Sequence, residues 1–302
     1  MSISFRPIYI KQNKGHGNAR RESLMNCKSD LIAIMDSDDI SCRNRFEKQI
    51  EAFVRNKQID VVGGQITEFI GNPDNITGKR TVPENDREIK QYIKKRCPMN
   101  HMTVMFRKSA VEKAGGYLDW FCNEDYYLWI RMAINGAVFA NVPDILVNVR
   151  VGNEMAARRG GWRYYKSEAK LQKYMLDHRL ISIPRYLYNT AIRFGGEVIV
   201  PDKLRLKLFR FLRSDYIERG ENIDLLEKVC NSEYPPFSVA MCVYGKDNAE
   251  WFDEALASVT VKQTVKPDEV VLVVDGPIPE EIQKVIDKYE KALWGGYDGY
   301  IS

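Results

Sequence analysis

The chain has 302 residues, 44% of them hydrophobic and 28% charged, with 45 Lys and Arg against 41 Asp and Glu for a formal net charge of +4. That length exceeds an ordinary single domain, and the composition is globular, which excludes disordered, collagen-like and mucin-like chains. The small net charge excludes a generally basic nucleic-acid binder, and the longest apolar runs reach only about a quarter of a bilayer crossing.

In chain order, Pro7 to Ile10 reads as a strand, and Asn18 to Met25 as a helix after a glycine-containing turn. Leu31 to Met35 is wholly apolar, as a strand covered on both faces must be, and Asp36-Ser37-Asp38-Asp39 follows directly. Arg45 to Val54 sets Phe46, Ile50, Phe53 and Val54 on one helical face. Further strands are expected at Ile59 to Val62, Met102 to Phe106, Ala137 to Ala140 and Ile145 to Val149, with a helix over Asp125 to Ile134. From about Met155 to Gly220 the chain becomes helical and rich in Arg, Lys and Tyr. After Pro235-Pro236, Phe237 to Tyr244 is another continuous apolar strand, and Gly245 to Asn248 supplies turn and cap chemistry. The next helix repeats Trp251, Phe252, Ala255, Leu256 and Val259 at helical spacing. Glu269 to Val274 is a second buried strand ending in Asp275-Gly276-Pro277, and Pro279-Glu280-Glu281 opens a helix whose apolar face is Ile282, Val285, Ile286 and Tyr289. This β-α alternation demands a parallel sheet with right-handed crossovers, and ligands gather at the carboxyl ends of its strands.

The residues suited to chemistry cluster at those ends. Asp36 and Asp38, two residues apart on an exposed turn, can hold a hard divalent cation and leave coordination positions for phosphate oxygens, although solvated acidic turns share the pattern. Asp275-Gly276 puts a second carboxylate at a strand end, suited to a ribose hydroxyl or base edge. Glu124-Asp125 stands among Trp120, Phe121, Tyr126, Tyr127 and Trp129; a partly desolvated carboxylate suits general-base work, and the same position suits a helix cap. Some of these aromatics, with Tyr117, are core and some are free to form a sugar-stacking platform. Asn13 to Arg21 is glycine-containing with basic ends, but lacks the phosphate-loop signature. His16, His101 and His178 have no zinc spacing. Six cysteines, at 27, 42, 97, 122, 230 and 242, form no C-x-x-C pair and are expected to be reduced and mostly buried.

Together these motifs resemble the family 2 glycosyltransferases of the GT-A fold, above all those of bacterial exopolysaccharide and capsule assembly. The resemblance implies an α/β/α sandwich with a mostly parallel central sheet plus a helical appendage. It implies that a strand ending near Tyr244 and the element Val274-Asp275-Gly276 bind the nucleotide, followed by an N-x-G-x-x-x-A-R element at Asn13, Gly15, Ala19 and Arg20. The D-x-D element is Asp36-Ser37-Asp38, with Asp38 ligating Mn²⁺ or Mg²⁺ supported by Asp36, and the E-D element is Glu124-Asp125, with Asp125 as base. The segment Met99 to Thr103, with Phe106 to Lys108, resembles the strand before the acceptor region; His101 there is either an acceptor or phosphate contact or a satisfied interior histidine, and Glu124, His101 and Trp120 are expected on the acceptor side. The implied partners are a nucleotide diphosphate sugar, UDP-sugar favoured, and a saccharide or lipid-linked acceptor. Inversion at the anomeric carbon is the implied outcome.

The order of the halves departs from the family, in which the nucleotide-binding half comes first. Here residues 1–152 carry the D-x-D and acceptor half, 153–230 a basic helical appendage and linker, and 231–302 the nucleotide-binding half. The chain thus reads as a circular permutation, with neighbouring termini expected, or as a domain-swapped oligomer in which 237–290 completes another chain's sheet. Within the appendage, Arg158 and Arg159, near Arg163, could meet phosphate as a flap, and Lys203 to Arg213 suits an anionic membrane surface or a docked surface helix. The first residues carry no secretory pattern, so the expected location is cytoplasmic with peripheral contact at the inner membrane surface, and no nucleic acid is expected. Two other readings stay open: a metal-dependent sugar nucleotidyltransferase, and an inactive nucleotide- or carbohydrate-binding module.

Overall fold

The computed structural model describes residues 3–152, 161–200 and 234–294. Nine strands form one sheet: β1 (Ser4–Ile10), β2 (Leu31–Met35), β3 (Ile40–Ser41), β4 (Val61–Phe69), β5 (Ile76–Arg80), β6 (Met105–Arg107), β7 (Phe139–Arg150), β8 (Phe237–Tyr244) and β9 (Glu269–Asp275). The spatial order is β1-β9-β8-β2-β6-β4-β7-β3, with β5 beside β4. The first four strands are mutually parallel, and β6 runs antiparallel to both β2 and β4. The two C-terminal strands therefore lie inside the sheet, between β1 and β2.

The helices are α1 (His16–Asn26), α2 (Arg45–Arg55), α3 (Asp86–Tyr92), α4 (Lys108–Lys113), α5 (Glu124–Ile134), α6 (Gly161–Asp177), α7 (Ile183–Phe194), α8 (Ala249–Val259) and α9 (Glu280–Trp294). Strand period two sends alternate residues to opposite faces. Leu31, Ala33 and Met35 enter one core with Phe46 and Ile50 of α2, Phe252 and Leu256 of α8 and Ile286 and Tyr289 of α9. Ile32 and Ile34 enter the other with Leu24 of α1, Trp129 and Met132 of α5 and Leu171 and Met175 of α6. Helices thus cover both faces of the sheet, giving the α/β/α architecture. Through Leu171 and Met175, the described part of the basic appendage shares a core with the catalytic half. The last described helix rests on the first strand, with the rings of Phe5 and Tyr289 6.1 Å apart.

Several expectations need correction. Met102 to Phe106 is not one strand: a 3-10 turn over His101–Thr103 precedes β6, because Thr103 bonds back to Asn100 through both its amide (2.9 Å) and its hydroxyl (2.7 Å). The two strands expected between 137 and 149 are the single β7, which follows β4 through register shifts at Gly64 and Gln65 rather than breaking. Polar β5, β3, α3 and α4 were not anticipated. Of the five described cysteines only Cys27 is buried, and Cys122 is exposed at a φ of 57°; all five are free thiols. Trp251 is 40% exposed rather than part of the α8 core face. The chain ends, Arg158, Arg159, Lys203 to Arg213, Cys230 and most of the expected linker lie outside the described residues.

Candidate active site

Parallel pairing brings the ends of β1, β9 and β8 into line, with Ile10 opposite Asp275 and Asp275 opposite Tyr244. Asp275 is buried, and its carboxylate accepts from the Lys14 amide at 3.0 Å while its carbonyl accepts from the Asn13 side chain at 3.3 Å. Two glycines allow the loops to close. A Cβ on Gly245 would fall 2.5 Å from the Pro277 carbonyl oxygen, and one on Gly276, whose φ is 89°, would fall 2.9 Å from the Asn13 nitrogen. Tyr244 has the His16 ring edge-on at 6.0 Å. Tyr244, Asp275, Gly276 and Asn13 therefore form one cradle, assembled from both ends of the chain.

The acidic turn follows β2 and is tied to that cradle. The Ser37 hydroxyl donates to Asp247 at 2.8 Å, and the same carboxylate oxygen accepts from the Tyr244 amide at 3.1 Å. Asp38 is open to solvent on one side, while the protein packed on its other side, with Asp36 and Asp247, pushes its carboxyl up to about 6. Burial, with Asp38 and Asp36 beside it, holds Asp39 well above the usual carboxylate range. Crowded carboxylates of this kind suit a divalent cation, whose charge relieves their repulsion. No group of three or more His, Cys, Asp or Glu side chains forms a ready cage among the described residues, so Asp36 and Asp38 would need phosphate oxygens and water to complete the coordination.

Arg150, at the end of β7, fixes the backbone of this turn and had no motif to announce it. Its amide donates to Asp39 at 2.8 Å, its Nε to the Asp38 carbonyl at 3.1 Å, and its Nη1 to the Gly71 carbonyl at 2.9 Å. Its Nη2 donates to Glu254 at 2.6 Å, and the guanidinium lies 4.7 Å from the Phe69 ring and 4.6 Å from that of Trp251. The exposed tryptophan of α8 is thus a cover for this arginine.

Arg20 joins the two carboxylate motifs. Its Nη1 donates to Glu124 at 2.7 Å and its Nη2 to Asp36 at 3.4 Å. Although burial opposes the charge, Asp36 and Glu124 hold the guanidinium above its ordinary value. Asp125, beside Glu124 at the start of α5, accepts from the Tyr126 amide at 2.7 Å. Arg20, Asp36, Glu124 and Asp125 are thereby brought to one edge, with Arg20 bonded to carboxylates.

The remaining expected residues divide. His101 is buried, its Nε2 is 2.8 Å from the Tyr117 hydroxyl, and its Nδ1 has no partner; burial, with Arg20 and His16, pushes the imidazole well below its usual value. Tyr117, Tyr126 and Trp129 are core, whereas Phe121 is 38% exposed. The Trp120 ring lies 4.2 Å from Tyr127, with the Lys170 ammonium 4.2 Å from its centroid. His178 stacks on Tyr174 at 4.0 Å, remote in sequence from both motifs.

A mixed, mostly parallel sheet of this order with helices on both faces is consistent with the GT-A fold. Residues 2–114 match the Glycosyl transferase family 2, and the chain belongs to the family 2 glycosyltransferases. It is 42% identical over 207 residues to an uncharacterized glycosyltransferase of Haemophilus influenzae, covering 68% of this chain and 76% of that one. It is 37% identical over 172 residues to the amylovoran biosynthesis glycosyltransferase AmsE of Erwinia amylovora, covering 56% and 63%. It is also 33% identical over 191 residues to the UDP-Gal:alpha-D-GlcNAc-diphosphoundecaprenol beta-1,3-galactosyltransferase of Escherichia coli, covering 63% and 69%. The family sets aside the nucleotidyltransferase reading. No described helix is long and apolar enough to cross a membrane.

Proposed function

We propose that the chain transfers a sugar from a nucleotide diphosphate sugar, with UDP as the favoured nucleotide, to a hydroxyl of a saccharide carried on a lipid diphosphate, inverting the anomeric carbon. The observation that carries this reading is the Arg20 bridge, which sets Glu124 and Asp125 beside the acidic turn. Tyr244, Asp275, Gly276 and Asn13 hold the nucleoside, and Asp275 offers its carboxylate to the ribose. Asp125 removes the proton of the acceptor hydroxyl as that oxygen attacks the anomeric carbon, and the bond to the diphosphate breaks on the opposite face. Mn²⁺ or Mg²⁺, where Asp38 and Asp36 would hold it, supplies neutralisation of the charge on the departing nucleoside diphosphate. Glu124 and Trp120 belong to the acceptor side, and His101, which is interior, acts there only through Tyr117. Arg158 and Arg159 remain proposed phosphate contacts. The enzyme works at the inner membrane surface, where such an acceptor is presented.

The strand order supports reading the chain as a permuted member of its family, since residues 237–275 occupy the sheet positions between β1 and β2. Calorimetric titration with UDP, GDP, CDP and dTDP, with Mn²⁺ or with chelator, tests the site. One nucleotide should bind in a metal-dependent way and lose that dependence in Asp38→Ala, while Asp125→Asn should keep binding and lose transfer. Transfer at the wild-type rate by Asp125→Asn would remove the base assignment.

A further inference from the structure

Beside the E-D motif, between the loop leading into α5 and the first turns of α6, lies an open pocket of about 400 Å³. Arg163, Lys166 and Lys170 reach it from α6, and Asp119, Trp120 and Phe121 from the loop. Spacings of three and four residues put the cations on one helical face, spread over about 10 Å of axis. Their partners are rings: Arg163 lies 4.0 Å from the Phe121 centroid, Lys170 4.2 Å from that of Trp120, and Lys166 5.5 Å from that of Trp162. No carboxylate is within ion-pair distance of any of the three among the described residues, whereas Glu168, on the same helix, accepts from Arg193 at 2.6 Å and from the Tyr164 hydroxyl at 3.3 Å. An aromatic face attracts a cation only weakly at an exposed site and leaves its N–H groups and charge available to an anion.

The pocket is rigidly attached to the reaction edge. The buried Ser167 hydroxyl donates to the Phe121 carbonyl at 2.6 Å and accepts from the Asn123 amide side chain at 3.3 Å, and the Trp120 indole donates to the Ser167 carbonyl at 3.4 Å. Asn123 occupies the position before the first turn of α5, immediately before Glu124 and Asp125. On the other side, the Leu118–Asp119 backbone lies 3.7 to 3.9 Å from where a Cβ on Gly17 would stand, in the segment that forms the nucleotide cradle. Asp119 is the single carboxylate lining the pocket, against three cations.

We propose that this pocket binds the diphosphate of a glycosyl diphosphate lipid acceptor, with Lys166, Lys170 and Arg163 on the phosphate oxygens. The placement rests on the transferase reading above and adds to it the subsite that selects acceptors by their diphosphate. Trp120 holds Lys170 in place, which is a different role from stacking on a sugar. A free nucleoside diphosphate carries the same anion, so the test separates the two sources.

Binding is measured by calorimetry with two probes, N-acetylglucosaminyl diphosphate esterified to a phenylalkyl chain and the matching alkyl glycoside without phosphate, alongside the nucleoside diphosphate panel. Lys166→Gln/Lys170→Gln should weaken the glycosyl diphosphate about tenfold or more, leave nucleotide affinity unchanged and leave the phosphate-free glycoside unchanged. Asp119→Asn, at an exposed position, should tighten the glycosyl diphosphate instead. Unchanged probe affinity in the double variant overturns the proposal, as does an equal loss of nucleotide affinity, which would assign the cations to the donor. Wild-type protein that binds nucleotide but no glycosyl diphosphate overturns the pocket and leaves the donor site standing. Protein that binds the glycosyl diphosphate through these lysines but no nucleotide keeps the pocket and refutes the transferase reading.

Discussion

Replacing Arg150 with alanine should destabilise the protein far more than neutralising the carboxylate to which it is paired. Its side chain is 7% exposed, and Glu254 is 48% exposed, so solvent screens the ion pair and holds its worth below about 1 kcal/mol. The bonds from Nε and Nη1 run to the carbonyls of Asp38 and Gly71, and a charged donor on a neutral acceptor is worth about 1.5–3 kcal/mol. Both carbonyls lie near enough to the surface to recover some hydration, which favours the lower end, and contact with Phe69 and Trp251 adds a fraction more. The expected loss for Arg150→Ala is about 3 kcal/mol, or a fall of about 5 °C in Tm for a chain of this length, against less than about 1 kcal/mol for Glu254→Gln. Urea unfolding of both single variants and the double variant measures each and their coupling. Because Arg150 holds the Asp38 backbone, metal-dependent nucleotide binding should fall with stability in Arg150→Ala and stay near wild type in Glu254→Gln. Equal losses in the two single variants would refute the reasoning, since the ion pair would then carry what is assigned here to the backbone carbonyls.

Gly245→Ala should weaken nucleotide binding with little change in Tm, because its new methyl meets a backbone oxygen at 2.5 Å and the two cradle loops must part; unchanged affinity would refute the close approach. Arg20→Lys keeps the charge, but one ammonium cannot span Glu124 and Asp36, so turnover should fall about tenfold or more, and a wild-type kcat would show that the bridge is dispensable. The His101 imidazole has a folded pKa well below its usual 6.5, so the unfolded chain binds the proton more tightly. Stability from this group is therefore present above about pH 6.5 and is lost as the pH falls below it, by up to about 1.4 kcal/mol per pH unit. Denaturation midpoints of wild type and His101→Gln between pH 5 and 8 should diverge on the acid side, and parallel profiles would remove His101 as the cause.

The elements that read cleanly from the sequence are those whose burial leaves a local mark. Leu31 to Met35, Phe237 to Tyr244 and Glu269 to Val274 are covered on both faces, so nearly every residue is apolar, and turn residues bound them. The short β5 escaped because Ile76-Thr77-Gly78-Lys79-Arg80 lies at the margin of the sheet with little buried. Helix α3 buries only Ile89, and its cap, Asn85 accepting from the Glu88 amide at 3.0 Å, is a signal readable in retrospect. The acidic turn and the E-D pair were visible as patterns, but their union through Arg20 joins residues 104 apart in sequence, and nothing local encodes it. Arg150 escaped for the same reason: its partners come from three separate segments, the acidic turn, the end of β4 with the loop after it, and α8. Trp120, read as an acceptor platform, is already engaged by Lys170 and Tyr127, which only the placement of α6 beside the loop could disclose.

The position of β8 and β9 inside the sheet has a consequence for how the protein is made. Among the described strands β1 pairs only with β9, and β2 meets β8 across roughly two hundred residues, so the parallel half of the sheet rests on distant pairings. On a ribosome adding about 5–20 residues per second, β1 has no partner and β2 keeps an open edge for about 10–40 s while the intervening chain is synthesised. Unpaired parallel edges of apolar strands invite association with other chains, so the nascent N-terminal portion is a natural client for holding chaperones. The proposed nucleotide cradle, which needs Tyr244 and Asp275, can form only after β8 and β9 have been synthesised.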